Sequence, residues 1–118
     1  MTTEHSAQTF AAGENWQIEA TLWDNDGNPV DLTNVDLKWF LVDQNHRRVI
    51  DSEGVRIRVK DRPRGKCLVT VAAETTAKLT TGAYSDFVRL TLHNGPGTTA
   101  LLRTIAWRGP IKVTSSAS

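Results

Sequence analysis

The side chains of this protein that could act in catalysis or bind a metal are few and widely spaced. The three histidines are His5, His46 and His93, and the single cysteine is Cys67. No two histidines have the i, i+4 spacing of a helical metal site, and one cysteine can form neither an internal disulfide nor a thiolate metal site. We therefore predict surface histidines, and we expect no metal ligands, no cofactor site and no catalytic residues.

An aspartate-rich turn and the cysteine both have simple structural interpretations. The segment Asp24-Asn25-Asp26-Gly27 resembles the start of a calcium loop, but the twelfth loop position, where an EF-hand needs glutamate, is Val35. The segment therefore predicts an ordinary turn. Cys67 alternates in phase with Val69 and Val71, which predicts a buried apolar side chain rather than a nucleophile.

Charge is distributed unevenly along a chain whose net charge is only +1. Residues 1–44 hold eight acidic side chains and one lysine, whereas residues 45–66 hold eight basic and three acidic ones. Within the basic region Arg56, Arg58 and Lys60 would share one face of a strand, as a stripe that tracks phosphates would. The region lacks aromatic residues for base stacking, so a solvated or protein-facing strand is favoured over nucleic-acid binding.

The aromatic residues indicate a candidate contact surface. Alternation places Trp16, Trp39 and Trp107 among core residues, whereas Trp23 falls on the polar face of its strand. Phe40 and Val42 alternate with Trp39 and Leu41, and Phe87 alternates with Val88, so both faces of these strands carry large apolar residues. Only one of the two faces can pack against the main core, and the other must be covered by something else. Packing against an edge loop or a β-bulge would satisfy this need, and so would a protein partner. The candidate interaction surface consists of Trp23, Phe40, Val42, Phe87, Arg56, Arg58 and Lys60.

The elements that must position these residues are short strands separated by turns. Apolar and polar residues alternate with a period of two in segments such as 16–22, 35–42 and 55–60, and turn residues recur every eight to twelve positions or so. The pattern predicts an all-β fold, an immunoglobulin-like antiparallel β-sandwich of about seven to eight short strands. At most one helical turn is expected near residues 73–79, and a hairpin with a glycine-rich tip at His93-Asn94-Gly95-Pro96-Gly97 closes the chain.

The length of the chain predicts a single domain. We expect a flexible N-terminal arm at residues 1–8, one β-sandwich domain at residues 9–114 and a loose tail at residues 115–118. Apolar runs are too short to span a membrane, and the first residues do not form a signal peptide. A single cysteine fits synthesis in a reducing cytoplasm.

The segment Leu79-Thr80-Thr81-Gly82-Ala83-Tyr84 is typical of a tyrosine corner. In immunoglobulin-like domains a tyrosine at this place hydrogen-bonds back to the preceding backbone. We expect Tyr84 to be largely buried, with its hydroxyl bonded to backbone near residues 75–79.

Four segments together resemble a known family. They are Gly13-Glu14-Asn15-Trp16, the turn from Asp24 to Thr33 with its Asp-Gly, Pro-Val and Asp-Leu-Thr, the corner 79–84, and Trp107-Arg108-Gly109-Pro110-Ile111-Lys112-Val113. Their order resembles that of immunoglobulin-like β-sandwich domains of bacteriophage virions, such as the N-terminal domain of phage baseplate upper proteins. The resemblance implies a non-enzymatic structural component of the head, neck, tail or baseplate, made in the host cytoplasm and located in the virion. Its partners would be other virion proteins or copies of itself, with no small-molecule substrate, no cofactor and no membrane.

Two other functions stay open on the sequence alone. A carbohydrate-binding or adhesive β-sandwich could use Trp23 and neighbouring aromatic residues to stack on sugar rings. A small enzyme is the third alternative, although no acid/base pair or activated nucleophile stands out.

Overall fold

Alternating apolar residues build two β-sheets whose inner faces pack against each other. The structure is a computed structural model that describes residues 3–24, 26–51, 53–93 and 100–115. The predicted all-β sandwich is confirmed, and these described residues form nine strands in place of the seven to eight expected. One of these strands lies within residues 1–8, which were expected to form a flexible arm, and a second begins at residue 8. The glycine-rich tip at residues 94–97 lies outside the described residues.

The larger sheet contains six strands in the order β1-β9-β8-β4-β5, with β2 also paired to β9. These strands are β1 (Thr3–Glu4), β2 (Gln8–Ala11), β4 (Val35–Val42), β5 (Arg48–Asp51), β8 (Gly82–His93) and β9 (Ala100–Thr114). The long antiparallel pair of β8 and β9 forms its centre, and β4 pairs with β8 over its whole length. This sheet carries the aromatic residues of the candidate surface other than Trp23.

The smaller sheet contains three antiparallel strands in the order β3-β7-β6. They are β3 (Trp16–Thr21), β6 (Val55–Asp61) and β7 (Lys66–Val71). In β3 and β7 the inward positions are buried and the outward positions are exposed or half-buried, as a sandwich layer with one wet face requires. Strand β6 lies at the edge of this sheet.

The core lies between the two sheets and contains three of the four tryptophans. Trp16, Trp39 and Trp107 are buried there, which confirms the sequence-based placement. Cys67 is buried in the same cluster, and burial raises the pKa of its thiol to about 11. This agrees with an apolar role for the side chain.

The N-terminal segment runs parallel to β9 along the edge of the larger sheet. Thr3 and Glu4 pair with Trp107 and Arg108, and β2 pairs with residues 111–114 further along the same strand. Phe10 stacks on Trp16 with ring centroids 5.0 Å apart. Residues 3–8, expected to form an arm, are thus partly paired, and their flexibility in solution stays a prediction.

Two local predictions at and just before the start of β8 can be compared with the structure. The helical turn is present as α1 (Ala73–Thr76). The hydroxyl of Tyr84 donates to the carbonyl oxygen of Thr80 at 2.7 Å, one residue beyond the range expected. Tyr84 is only half-buried, so the corner exists but is shorter and more exposed than predicted.

Glycine is required where the turn after β6 meets the loop after β3. Gly65 has φ +67°, and a Cβ there would lie 2.6 Å from the carbonyl oxygen of Leu22. The backbone N–H of Leu22 in turn donates to the carbonyl oxygen of Gly65 at 2.9 Å. Because any side chain would force these backbones apart, glycine fixes the end of the smaller sheet.

Candidate interaction surface

A row of five side chains crosses the larger sheet at one level. Strand register pairs Asp51 with Phe40, Phe40 with Phe87, Phe87 with Arg108, and Arg108 with Glu4. We call these five residues the aromatic row. Two rings occupy its centre and an acidic side chain lies at each end, so an apolar centre has a charged rim.

The two phenylalanines at the centre of the aromatic row stack on each other. Their ring centroids are 5.2 Å apart with an interplanar angle of 17°, and the guanidinium of Arg48 lies 4.0 Å from the Phe40 centroid. Phe40 alternates with the core residues Trp39 and Leu41 and is nevertheless only 6% exposed. Its neighbours on the outer face therefore shield it, and Phe87, which is half-buried, is the more accessible ring.

Ion pairs hold both ends of the aromatic row. Asp51 contacts Lys38 at 2.9 Å and Arg48 at 3.5 Å, and Arg108 contacts Glu4 at 2.7 Å. The hydrogen bond from Lys38, together with the charges of Lys38 and Arg48, lowers the pKa of Asp51. These pairs are solvent-exposed, so they orient side chains more than they stabilise the fold.

A groove of about 330 Å³ lies beside Phe87 on this face. Its lining includes Ser85, Arg108 and Pro110. An apolar side chain of another protein inserted here would contact an aromatic ring and an arginine, the residue types enriched at interface centres.

The structure brings only part of the predicted surface together. Phe40 and Phe87 are in contact, and Val42 follows two residues after Phe40 on β4, half-buried. Trp23 is 43% exposed and forms an isolated bridge with Pro29 beyond the end of β3. It therefore lies outside the strands of both sheets.

The three cationic residues of the candidate surface lie on the smaller sheet. Arg56, Arg58 and Lys60 are exposed on β6 and alternate with half-buried residues, as their spacing predicts. Lys60 contacts Glu19 of β3 at 3.3 Å. The predicted surface is thus divided: Phe40, Val42 and Phe87 lie on the larger sheet, the three cations lie on the smaller sheet, and Trp23 lies outside the strands of both.

A second cluster, which sequence reasoning missed, is buried between the sheets around Asp86. This carboxylate is fully buried; its Oδ2 accepts hydrogen bonds from Trp39 Nε1 at 3.0 Å and Trp107 Nε1 at 3.3 Å. Its Oδ1 contacts Nε2 of His5. We call Asp86, Trp39, Trp107 and His5 the buried cluster. Its polar side-chain atoms are all satisfied, as burial of a carboxylate requires.

His5 corrects the prediction that all three histidines lie on the surface. Its side chain is only 5% exposed, and its ring stacks on Trp107 with centroids 4.9 Å apart. Space for the ring comes from Gly109, where a Cβ would lie 2.3 Å from His5 Nε2. One signal was present in the sequence: Asp86 alternates in phase with Val88 and Leu90, which makes it a charge on an apolar face.

The described residues contain neither a group of side chains suited to a metal ion nor a helix that could cross a membrane. Among residues 3–24, 26–51, 53–93 and 100–115, no three His, Cys, Asp or Glu side chains are grouped so that they could hold a metal ion. Asp24 of the aspartate-rich turn instead accepts backbone N–H groups from Asp26 and Asn28, both at 2.9 Å. Within the same part of the chain, no helix is long and apolar enough to cross a membrane.

Comparison with solved structures places this chain among β-sandwich domains. It resembles the N-terminal domain of ORF48 of phage TP901-1 with a TM-score of 0.54 and 12% sequence identity, covering 98% of this chain and 99% of that domain. It also resembles part of a family 123 glycoside hydrolase from Clostridium perfringens, with a TM-score of 0.55 and 14% identity over 96% of this chain. The chain spans only 23% of that enzyme.

At these identities the two likenesses show a common fold and no more. No protein-family model matches the sequence, and no curated protein matches it significantly.

Proposed function

We propose that this protein is a non-enzymatic structural component of a phage particle that acts through protein–protein contacts of its aromatic row. The observation that carries the proposal is the match to a phage domain over essentially the full length of both chains. The partners would be other virion proteins or copies of the same chain, and the protein would reside in the virion after synthesis in the host cytoplasm. Nucleic acid, membrane and small-molecule substrates have no part in this function.

The chemistry of the aromatic row supports a protein partner. Phe87 is the accessible ring, the groove beside it offers a place for an apolar side chain, and Arg48 and Arg108 flank the apolar centre. Buried rings and arginines supply most of the binding energy in protein interfaces, whereas the charged rim sets orientation. Repeated copies in a particle need such a definite orientation.

Gene context and particle content test the assignment to a virion. We expect capsid, portal or tail genes beside the coding sequence, and we expect mass spectrometry to detect the protein in purified particles. A metabolic operon around the gene, or particles that lack the protein, would contradict the proposal.

A variant of the accessible ring tests the surface itself. Phe87→Ser removes the more accessible ring of the stacked pair. We therefore expect the variant to stay folded, as judged by circular dichroism, and to lose self-association or incorporation into particles. Leu68→Ser is the matched control, because Leu68 is a half-buried apolar residue that faces outward on the smaller sheet. Equal loss in both variants, or loss in neither, would place the contacts elsewhere.

A carbohydrate-binding module is the second candidate, favoured by the exposure of Trp23. An indole that is 43% exposed offers a flat surface on which a sugar ring can stack. The fold also resembles part of a protein whose described activity is glycolipid glycan hydrolysis. Saturable quenching of tryptophan fluorescence by host polysaccharides, lost in Trp23→Ala, would favour this function over the first.

A further inference from the structure

The smaller sheet has two outer edges, which are formed by β3 and β6. In the described part of the chain β7 lies between these strands, and no strand pairs with the outer side of either. Both strands run antiparallel to β7, so they run parallel to each other. A rotation of one copy about an axis along the strands therefore brings its β3 beside β6 of the next copy in parallel orientation.

Hydrogen bonds at the two ends of the sheet show which backbone groups face these edges. The N–H of Leu22 donates to the carbonyl oxygen of Gly65 at 2.9 Å. The N–H of Ala72 donates to the carbonyl oxygen of Gly54 at 3.0 Å. Because backbone groups of successive residues point to opposite sides of a strand, the odd-numbered residues of β3 and β6 direct theirs away from β7. These residues are Gln17, Glu19 and Thr21 on β3, and Val55, Ile57 and Val59 on β6.

The side chains of these odd-numbered residues point to different faces of the sheet. They point outward on β3 and inward, half-buried, on β6. In an antiparallel pair, residues that face the partner lie opposite each other, so that arrangement would place outward side chains beside inward ones. In a parallel pair, a residue that faces the partner lies opposite one that faces away. Parallel pairing therefore continues both faces of the sheet from one copy to the next.

We infer that this protein assembles head to tail, with β3 of one copy added in parallel to β6 of the next. The inference rests on the proposed function, in which copies of this chain are among the partners. Placing Glu19 beside Arg58 of the next copy matches all six residues of β3 with residues 55–60. Such a contact joins two different surfaces, so it builds a ring if the rotation closes and a filament if it does not.

Charge on the outer face favours this register. Glu19 is the only charged residue of β3, whereas the outward positions of β6 are all cationic. Lys60 contacts Glu19 at 3.3 Å within one copy, but no ion pair within the described residues engages Arg56 or Arg58. An incoming Glu19 would therefore meet a guanidinium that has no carboxylate beside it, which sets the register of the contact.

The inner face and the like charges of β6 support the same partner. The proposed register places Ile18 beside Ile57 and Ala20 beside Val59, so the apolar inner layer continues across the junction. Pairing of β6 with β6 of another copy would instead place cations beside cations, and like charges on an edge strand prevent such pairing. The edge of β3 carries no such protection.

Two complementary charge reversals test the contact. Glu19→Arg and Arg58→Glu each put like charges at the junction, so each variant alone should self-associate about tenfold more weakly than the natural protein. In an equimolar mixture, opposite charges meet at every junction between the two variants. We therefore expect mixing to restore association to within about threefold of the natural protein, as measured by sedimentation velocity.

The matched control is the pair Glu74→Arg and Arg47→Glu, which makes the same changes in charge at exposed positions on α1 and between β4 and β5. Each of these variants, and their mixture, should associate as the natural protein does. The inference is overturned if the edge variants do so as well, if mixing them gains nothing, or if mixing strengthens the control pair equally. A natural protein that stays monomeric at about 1 mM would also overturn it, because even a millimolar contact would then be populated.

Hydrogen exchange in the natural protein provides a measurement that needs no variant. The amides of the odd-numbered residues of β3 and β6 should exchange more slowly in a concentrated sample than in a dilute one, because parallel pairing gives them acceptors. The even-numbered amides of the same strands, which face β7, are the internal reference. Association that leaves the odd-numbered amides unchanged would overturn the inference. A virion protein that fails these tests would still be detected in purified particles, so this failure is distinguishable from failure of the proposed function.

Discussion

Asp86 illustrates at the scale of one residue how a charge can be kept inside an apolar core. Asp86 and Thr76 are polar residues that are completely buried. Three donors from three different elements, β1–β2, β4 and β9, converge on this carboxylate. The cluster thus ties the N-terminal segment to the centre of the larger sheet.

We expect Asp86→Ala to be among the most destabilising single substitutions. It leaves two indole N–H groups and the His5 ring buried without their acceptor, a loss that typically costs about 3–5 kcal/mol. Glu19→Ala removes a carboxylate from an exposed pair with Lys60 and should cost within about 1 kcal/mol. Urea denaturation of both variants measures the difference, and similar midpoints would show that the buried cluster does not stabilise the fold.

Cys67 should make stability depend on pH in the alkaline range. Burial raises the pKa of its thiol from 9.0 to about 11, so between these values the folded state keeps a proton that the unfolded state loses. Its contribution is therefore fully present below about pH 9 and is lost as the pH rises toward 11, by up to about 2 kcal/mol. Cys67→Ala should lose less stability than the natural protein between pH 9 and 10.5, as measured by urea denaturation at each pH. Parallel curves for the two proteins would contradict this prediction.

At the scale of elements, the attachment of β1 depends on the absence of a side chain in β9. A Cβ at position 109 would lie 2.3 Å from Nε2 of His5, so Gly109→Ala should push the ring out and detach the segment. The loss in the free energy of unfolding cannot exceed the free energy with which the segment docks, because detachment of the segment relieves the clash. Overpacking of this kind typically costs about 1–3 kcal/mol. The amide of His5, which donates to the carbonyl oxygen of Arg108 on β9, should then exchange faster.

A double-mutant cycle supplies the control for this steric argument. In a His5→Ala background the ring is gone, so Gly109→Ala should cost little. If Gly109→Ala destabilises equally with and without the His5 ring, the clash is with something else.

The elements of the central sandwich could be predicted from the sequence because their alternation is local. A period of two in β3, β6 and β7 fixes which side chains face inward, and the structure follows it. Strands β1 and β2 could not be predicted, because they are held by pairing with β9 about a hundred residues away. The contact of Phe40 with Phe87 likewise depends on the register of β4 with β8, which no local pattern gives.

At the scale of the whole molecule, the candidate contacts lie on opposite layers of the sandwich. The aromatic row occupies the outer face of the larger sheet, and the cations of β6 lie at the edge of the smaller one. A molecule with two different contact surfaces on opposite layers can bind neighbours on both sides, which suits repeated assembly. We propose that acidic residues within 1–44 of one copy contact the cations of another, because their charges are opposite.

Salt dependence distinguishes the contributions of these two surfaces. Contacts made by Arg56 and Arg58 with acidic residues of a neighbour would be screened at high ionic strength, whereas burial of Phe87 would not be weakened. We therefore expect the double variant Arg56→Glu, Arg58→Glu to weaken self-association at low salt and to match the natural protein near 1 M salt, where the Debye length is about 3 Å.

The control is the double variant Arg47→Glu, Lys78→Glu, which makes the same change in net charge at exposed sites outside β6 and should have a smaller effect. Light scattering of these variants over a range of salt concentrations measures the effect; equal weakening by both pairs would mean that net charge, rather than a defined cationic surface, governs association.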